Sequence, residues 1–248
     1  EIPEYLNEII FYLGKAYNFS WRDIKKNLLF NGNHEGDLSD FDKYLDLHRY
    51  KFSYKGNEMG GYSILKNKNI TIAMDIGSSP DRNYSENFQS GPLSFEMFFK
   101  NNKLISNSGY FQDYQHQLNR ISKSTAAHST LILNNSSACN FKKIKKGPNI
   151  INRGFKTLNK NIISEKNYWS IKCSHDGYLS DYGIIHERIL EIYPENYKII
   201  GKDKLIKKKN FKSSNFEIRF HLMPNTKVTK TQDSKAILIE LENSGWKF

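Results

Sequence analysis

The chain has 248 residues, a mass of 29.0 kDa and a formal net charge of +11, with a pI of about 9.4. This length suits one large domain with a good core, and 38% hydrophobic with 14% aromatic residues excludes a disordered chain. No apolar run approaches the length of a membrane span, and Cys139 and Cys173 are expected to be buried thiols, too few for a disulfide framework. The charge favours polyanionic partners but does not choose among acidic polysaccharide, nucleic acid and anionic lipid.

The N-terminal region has a helical period. Six apolar residues fall on one helical stripe: Ile2, Tyr5, Ile9, Ile10, Leu13 and Tyr17. The chain begins at Glu1 rather than Met and stops at Phe248, where a strand-like pattern has only begun. We therefore expect a fragment truncated at both ends, with a short helical remnant and linker over residues 1–45.

From about residue 46 the apolar period changes to that of strands. Residues 70–76 and 93–99 alternate between apolar and polar side chains, and Asn101-Asn102 predicts a hairpin turn after the second run. Further predicted strands span residues 129–134, 168–173, 183–193, 197–200, 216–223 and 235–242. Because turn residues and not helices separate these strands, the sequence predicts a mainly β fold, a large antiparallel β-sandwich over residues 46–248 that is incomplete at its C-terminus.

Four segments resemble the C-terminal region of the heparinase II/III-like family of polysaccharide lyases. They are residues 75–77 (DIG) with 89–96 (QSGPLSFE), 107–110 (NSGY), 124–130 (STAAHST), and 175–178 (HDGY) with 186–188 (HER). Their order and separations are also similar to that family, from about Phe30 to the end of the chain.

The resemblance implies how the whole protein is built and what it does. It implies an α/α toroid upstream, of which residues 1–45 would be the last helices, packed on the sandwich. An acidic polysaccharide would bind in the cleft between toroid and sandwich and be cleaved by β-elimination beside a uronic acid, while this segment alone is expected to be inactive. That substrate class further implies a periplasmic or cell-envelope location.

The family's zinc-binding positions are mostly replaced in this chain. The resemblance places two of the family's histidines at Asn87 and Gln89 and an aspartate at Asn107, and only His128 keeps its type. Amide oxygens are poor zinc ligands, so we expect no structural zinc and no other cofactor. Gln89, Asn107 and His128 are expected to form a hydrogen-bonded cluster instead, which supports the strands or binds sugar hydroxyls.

β-Elimination needs a group that neutralises the uronate carboxylate, a base and an acid. The family's catalytic histidine aligns with Asn87, so the base would come from the toroid, from Tyr110 or from another histidine. The candidate catalytic residues in this chain are therefore His128, Tyr110 and His186. His128 at the start of a strand is also typical of a core histidine.

The candidate substrate-binding residues are Gln89, Asn107, Arg188, His175 and Tyr178. His186 and Arg188 are two residues apart and so point to one face of a strand, where Arg188 would bind a carboxylate. A surface strand with a charged rim explains the same pair, and residues 175–178 also have the pattern of a plain turn.

Three classes of function remain open. The first is a polysaccharide lyase, and the second is a catalytically degenerate sandwich that binds acidic glycans, which the replacements at Asn87, Gln89 and Asn107 favour. The third, nucleic-acid binding, lacks a recognition helix, zinc-finger spacing and an aromatic-basic pattern, so no nucleic-acid partner is predicted. The lyase hypothesis requires the stretches near residues 89, 107, 128 and 186 to converge on one concave face.

Overall fold

The computed structural model describes residues 58–100, 102–145, 147–208, 210–241 and 244–248. The helical region predicted for residues 1–45 lies outside these ranges. None of the helices within them is long and apolar enough to cross a membrane.

Two antiparallel sheets form the body of the fold. The first contains, in spatial order, β1 (Glu58–Met59), β2 (Tyr62–Lys66), β3 (Ile70–Asp75), β4 (Phe95–Phe99), β5 (Asn102–Ser106) and β14 (His221–Leu222). The second contains β12 (Lys198–Lys207), β11 (Ile184–Tyr193), β10 (Trp169–His175) and β9 (Thr157–Ser164).

Shorter elements complete the described part of the chain. β6 (Leu131–Leu133) pairs with β13 (Phe216–Ile218), and β7 (Asn140–Lys143) pairs with β8 (Asn149–Arg153). A three-stranded sheet contains β15 (Lys227–Lys230), β16 (Ile237–Leu241) and β17 (Ser244–Lys247). The helices are α1 (Gln117–Ser122), α2 (Leu179–Tyr182) and two 3-10 turns, Arg82–Tyr84 and Thr125–Ala127.

Alternate side chains of the two large sheets share one core. Ile72 and Met97 from the first sheet and Ile171 and Leu190 from the second are at most 2% exposed and belong to the same apolar cluster. Each fully buried side chain of this kind stabilises the fold by about 1.5–3 kcal/mol relative to an exposed one. The prediction of a mainly β, antiparallel sandwich is confirmed, and both cysteines are buried and unpaired.

The predicted strand at 216–223 divides into two. Its first half, β13, pairs with β6, whereas its second half, β14, pairs with β5 at the edge of the first sheet. The chain changes partner at Arg219-Phe220, where the Phe220 ring lies 6.1 Å from that of Phe95. This crossing brings residues 219–221 next to the segments that follow β5 and precede β6, a proximity that periodicity cannot predict.

Candidate functional site

The segments singled out in the sequence do meet, and Asn107 joins three of them. They do not all share one concave face: residues 108–111 and 126–127 line an open cavity, whereas His186 and Arg188 are buried. Its side-chain oxygen accepts the Ser129 backbone N–H at 2.9 Å, and its own backbone N–H donates to a Glu96 carboxylate oxygen at 3.1 Å. Its side-chain nitrogen lies 3.4 Å from the Ser94 hydroxyl. Asn107 therefore links the start of β4, the end of β5 and the approach to β6. Its partners are Ser94, Glu96 and Ser129, and among the described residues no hydrogen bond joins its side chain to Gln89 or His128, so the predicted cluster of these three side chains stays a prediction.

His128 lies beneath this junction and is 4% exposed. Its Nδ1 is 2.8 Å from the Ser124 carbonyl, so Nδ1 carries the proton, and Nε2 has no hydrogen-bond partner among the described residues. Burial lowers the pKa of the imidazole to about 4, and the Ser124 carbonyl only partly opposes this. Gly91 packs against the ring so closely that a Cβ there would lie 2.5 Å from Cδ2, so the 89–91 turn requires glycine.

The residues predicted to stand at zinc positions do not fit zinc. The side-chain oxygen of Asn107 already accepts a backbone N–H, and Nδ1 of His128 faces a carbonyl. Gln89 adds only an amide, and within the described ranges no three His, Cys, Asp or Glu side chains cluster as a metal site. We therefore derive no chemical step through a metal at this place.

We expect the free energy of unfolding to fall as the pH decreases from about 6.5 to 4. The His128 pKa is about 4 in the folded protein and about 6.5 in the unfolded chain, so between these values only the unfolded chain binds the proton. The stability from neutral His128 is fully present above pH 6.5, is lost as the pH falls through 4, and amounts to roughly 3 kcal/mol. Urea unfolding of the protein across this range measures the slope.

A matched pair of variants assigns that slope. His128→Gln is expected to reduce the slope by the share of one proton, because the buried His175 and His186 keep their own shares. The same change at the exposed His116 is expected to leave the slope in place. An unchanged slope in His128→Gln would show that other buried groups cause the acid sensitivity.

His175, His186 and Arg188 form one buried polar chain with Asp203. The Gly177 backbone N–H donates to Nδ1 of His175 at 3.1 Å, and Nε2 of His175 lies 3.1 Å from Nδ1 of His186. Nε2 of His186 then reaches Oδ1 of Asp203 at 2.6 Å, and Arg188 donates to both carboxylate oxygens at 2.8 and 3.0 Å. Because Gly177 can only donate and Asp203 only accepts, each imidazole is a neutral ring that accepts on Nδ1 and donates from Nε2.

Burial and hydrogen bonding set the pKa values of His175, His186 and Asp203. Burial lowers the pKa of both imidazoles, that of His175 well below its ordinary value. Burial also raises the pKa of Asp203, but the hydrogen bond from His186 and the charge of Arg188 outweigh it, and the pKa falls to about 2. At neutral pH the only charges among these four hydrogen-bonded side chains are therefore those of the Arg188–Asp203 ion pair.

This placement gives four predicted site residues contacts inside the protein. Arg188 is 1% exposed, and its remaining nitrogen donates to the carbonyls of Leu93 and Ser129 at 3.0 and 2.8 Å. Tyr178 is also 1% exposed and donates to the Leu131 carbonyl. The sugar-binding roles of Arg188, His175 and Tyr178 and the catalytic role of His186 stay predictions, but in this conformation none of these side chains lies on an open surface.

Tyr110 is the predicted catalytic residue that borders an open cavity. The cavity has a volume of about 370 Å³ and an apolar wall formed by Phe111, Leu118 and Ile121. Arg219 and His221 also line it. A mostly apolar cavity with a few polar groups at one side is typical of ligand-binding sites.

The Tyr110 hydroxyl is held by polar neighbours. It lies 3.2 Å from the Asn87 side-chain oxygen and 3.5 Å from the Glu86 carbonyl, and it accepts a hydrogen bond from the Asn119 amide at 3.1 Å. A phenol has one proton to donate, so Asn87 and Glu86 compete for it. Asn87 is thus a direct neighbour of Tyr110.

Arg219 and His221 were missed in the sequence, although their spacing was the signal. Nε2 of His221 donates to the Ala126 carbonyl at 3.0 Å, so Nδ1 is an acceptor, and it has no partner among the described residues. Two nitrogens of Arg219 bind one oxygen of Glu217 at 2.9 and 3.2 Å, and its third has no partner among the described residues. The two-residue spacing that singled out His186 and Arg188 also holds for Arg219 and His221, and the structure opens this second pair to the cavity.

Comparisons with known proteins agree with this fold. The chain matches the family model for the heparinase II/III-like C-terminal domain over residues 54–248. Heparan sulfate lyase HepC from Pedobacter heparinus is similar with a TM-score of 0.57 at 15% identity, over 98% of this chain and 33% of that protein. Heparinase III, the BT4657 gene product, gives a TM-score of 0.58 at 16% identity, over 98% of this chain and 32% of its own.

The family and the fold rest on different comparisons. No curated protein is significantly similar to the chain. At identities near 15% the likeness to solved structures shows the fold alone, and the chain spans about a third of the length of those proteins. The family match, in contrast, covers most of the residues. The chain therefore belongs to the heparinase II/III-like family and carries its C-terminal domain.

Proposed function

We propose that the protein containing this chain is a polysaccharide lyase that cleaves a uronic-acid-containing polysaccharide by β-elimination. In this proposal the chain supplies one wall of the substrate cleft and part of the catalytic site. The observation that carries it is the placement of Tyr110, Arg219 and His221 on one open cavity with an apolar wall. A phenol, a guanidinium and an imidazole are the groups that this reaction needs.

Each of the three groups has a role in the proposed reaction. The free nitrogen of Arg219 binds the uronate carboxylate and so makes the neighbouring C5 proton more acidic. Nδ1 of His221 takes that proton, the electron pair forms the C4–C5 double bond, and the C4–O bond breaks. Tyr110 donates its proton to the leaving oxygen, and Asn87 and Asn119 hold its hydroxyl in place.

The remainder of the cleft belongs to the rest of the protein. We propose an upstream α/α toroid as the opposite wall and a periplasmic or cell-envelope location, because acidic polysaccharides are met there. The absence of three of the four metal-associated side chains favours a second candidate, a degenerate sandwich that binds acidic glycan without cleaving it.

The full-length protein decides between the two candidates. It is incubated with heparan sulfate, hyaluronan, alginate and polygalacturonate, and the absorbance of unsaturated uronate is followed. A lyase gives rising absorbance with at least one polymer, without added metal. Binding without absorbance at any metal concentration identifies the degenerate protein, and the absence of both binding and absorbance contradicts both candidates.

Arg219→Gln is expected to raise KM by roughly 10–100-fold, because one charge-assisted hydrogen bond to the substrate carboxylate contributes about 1.5–3 kcal/mol. The exposed Arg82 provides the matched control, and Arg82→Gln is expected to leave KM unchanged. Equal KM values for Arg219→Gln and the wild type would exclude Arg219 from carboxylate binding.

A further inference from the structure

Lys123 is a buried cation beside the cavity. It follows α1, is 1% exposed, and forms no ion pair with any acidic side chain of the described residues. Its ammonium group donates to the backbone carbonyls of Asn149 at 2.6 Å, Ser85 at 3.4 Å and Glu86. The ring of Phe141 lies 5.1 Å away and closes the site from another side.

The hydrogen bonds of Lys123 use its full capacity as a donor. An ammonium group has three protons, and each is directed to one carbonyl. A neutral amine has two, so deprotonation releases one carbonyl. Burial lowers the pKa of Lys123 to about 8, while the negative charge of Glu86 acts in the opposite direction. The cation is thus kept at neutral pH and lost under mildly alkaline conditions.

Two of the three carbonyls, those of Ser85 and Glu86, belong to the segment that leads to Asn87, the neighbour of Tyr110. Residues 85 and 86 immediately precede Asn87, whose side chain contacts the Tyr110 hydroxyl. The Glu86 carbonyl is itself 3.5 Å from that hydroxyl. The position of this segment therefore sets the position of both acceptors of the Tyr110 proton.

We propose that Lys123 is a positioning residue whose charged form clamps the 85–87 segment and thereby orients Tyr110. Its effect on catalysis rests on the proposed lyase function, whereas the clamp itself does not. Among the described residues, the charged group that acts on it is Glu86 on the clamped segment, and Asn149 and Phe141 on the β7–β8 hairpin are uncharged.

The pH profile of the full-length protein tests the catalytic part. Wild-type kcat is expected to fall above about pH 8, as the ammonium loses its proton. Lys123→Arg, which stays charged, should keep kcat level from about pH 8 to 9, where the wild type falls. Lys123→Met should lower kcat at every pH with little change in KM. The exposed Lys142 on the same hairpin is the control, and Lys142→Met should keep the wild-type profile. An alkaline limb that persists unchanged in Lys123→Arg would overturn the proposal.

Hydrogen exchange tests the clamp without any activity. The Phe88 amide donates to the Ser85 carbonyl within the clamped segment, so loosening the segment exposes it. After correction for the intrinsic rate, exchange in residues 82–91 should rise above pH 8 in the wild type and be fast at every pH in Lys123→Met. Equal exchange of the wild type and Lys123→Met at pH 7 would refute the clamp, and this comparison decides alone if Lys123→Arg does not fold. The expected exchange pattern without turnover of any polymer would support the clamp and contradict the proposed lyase function.

Discussion

Tyr110→Phe in the full-length protein is expected to lower kcat by about 10²–10⁴-fold, the usual contribution of a positioned acid or base. The change removes only the hydroxyl that the proposed reaction uses to protonate the leaving oxygen. The Asn119 amide keeps its hydrogen bond to the Phe111 carbonyl at 2.7 Å, so the stability loss should stay near 1 kcal/mol. Formation of unsaturated uronate under saturating substrate measures kcat directly.

Tyr84→Phe is the control for this experiment. Tyr84 is 81% exposed on a neighbouring 3-10 turn, so the same loss of a hydroxyl should leave kcat unchanged. A kcat for Tyr110→Phe within twofold of the wild type would exclude Tyr110 as the proton donor. The acid would then have to come from His128 or from the upstream domain.

Arg188→Met is expected to destabilise the protein by about 3–5 kcal/mol, because removing one partner of a buried ion pair leaves the other uncompensated. Asp203 would retain only His186, and the carbonyls of Leu93 and Ser129 would lose their donor. For a protein of this size the loss corresponds to a fall in Tm of roughly 6–20 °C. Thermal and urea unfolding measure it.

The same variant tests the prediction from the sequence that Arg188 binds a carboxylate of the substrate. The exposed Arg120 is the control, and Arg120→Met should unfold like the wild type. If Arg188→Met unfolds normally but binds polysaccharide weakly, the side chain reaches the substrate in a conformation other than this one. Lost stability with retained substrate binding assigns it to the interior.

Periodicity predicted the sandwich from the strands that have one covered face. Ile70, Ile72 and Met74 alternate with half-exposed neighbours, and this pattern appears directly in the amino-acid order. β7 faces solvent along most of its length, and in β9 the apolar residues Ile162 and Ile163 are adjacent, so neither strand shows an alternation in its sequence and neither was predicted. The six residues of α1 span less than two helical turns, too few to establish a helical period.

The sequence shows which side chains share a face, but not what covers that face. Arg188 lies on β11, which has a strand on each side and a packed inner surface, so its side chain is buried. Arg219 lies where the chain crosses between β13 and β14, so its side chain reaches the cavity. Pair spacing is the same in both places, and only the three-dimensional arrangement of the strands distinguishes them.

The contact of Arg188 with the opposite sheet has a consequence for how the two sheets align. Apolar contacts have no preferred direction, so two apolar sheet faces alone would tolerate small sliding movements. A guanidinium on β11 that reaches the Leu93 carbonyl, just before β4, and the Ser129 carbonyl, just before β6, allows only one offset. Ser129 also binds Asn107 and His221. The Arg188 side chain therefore keeps the cavity wall in register with the second sheet, which does not line the cavity.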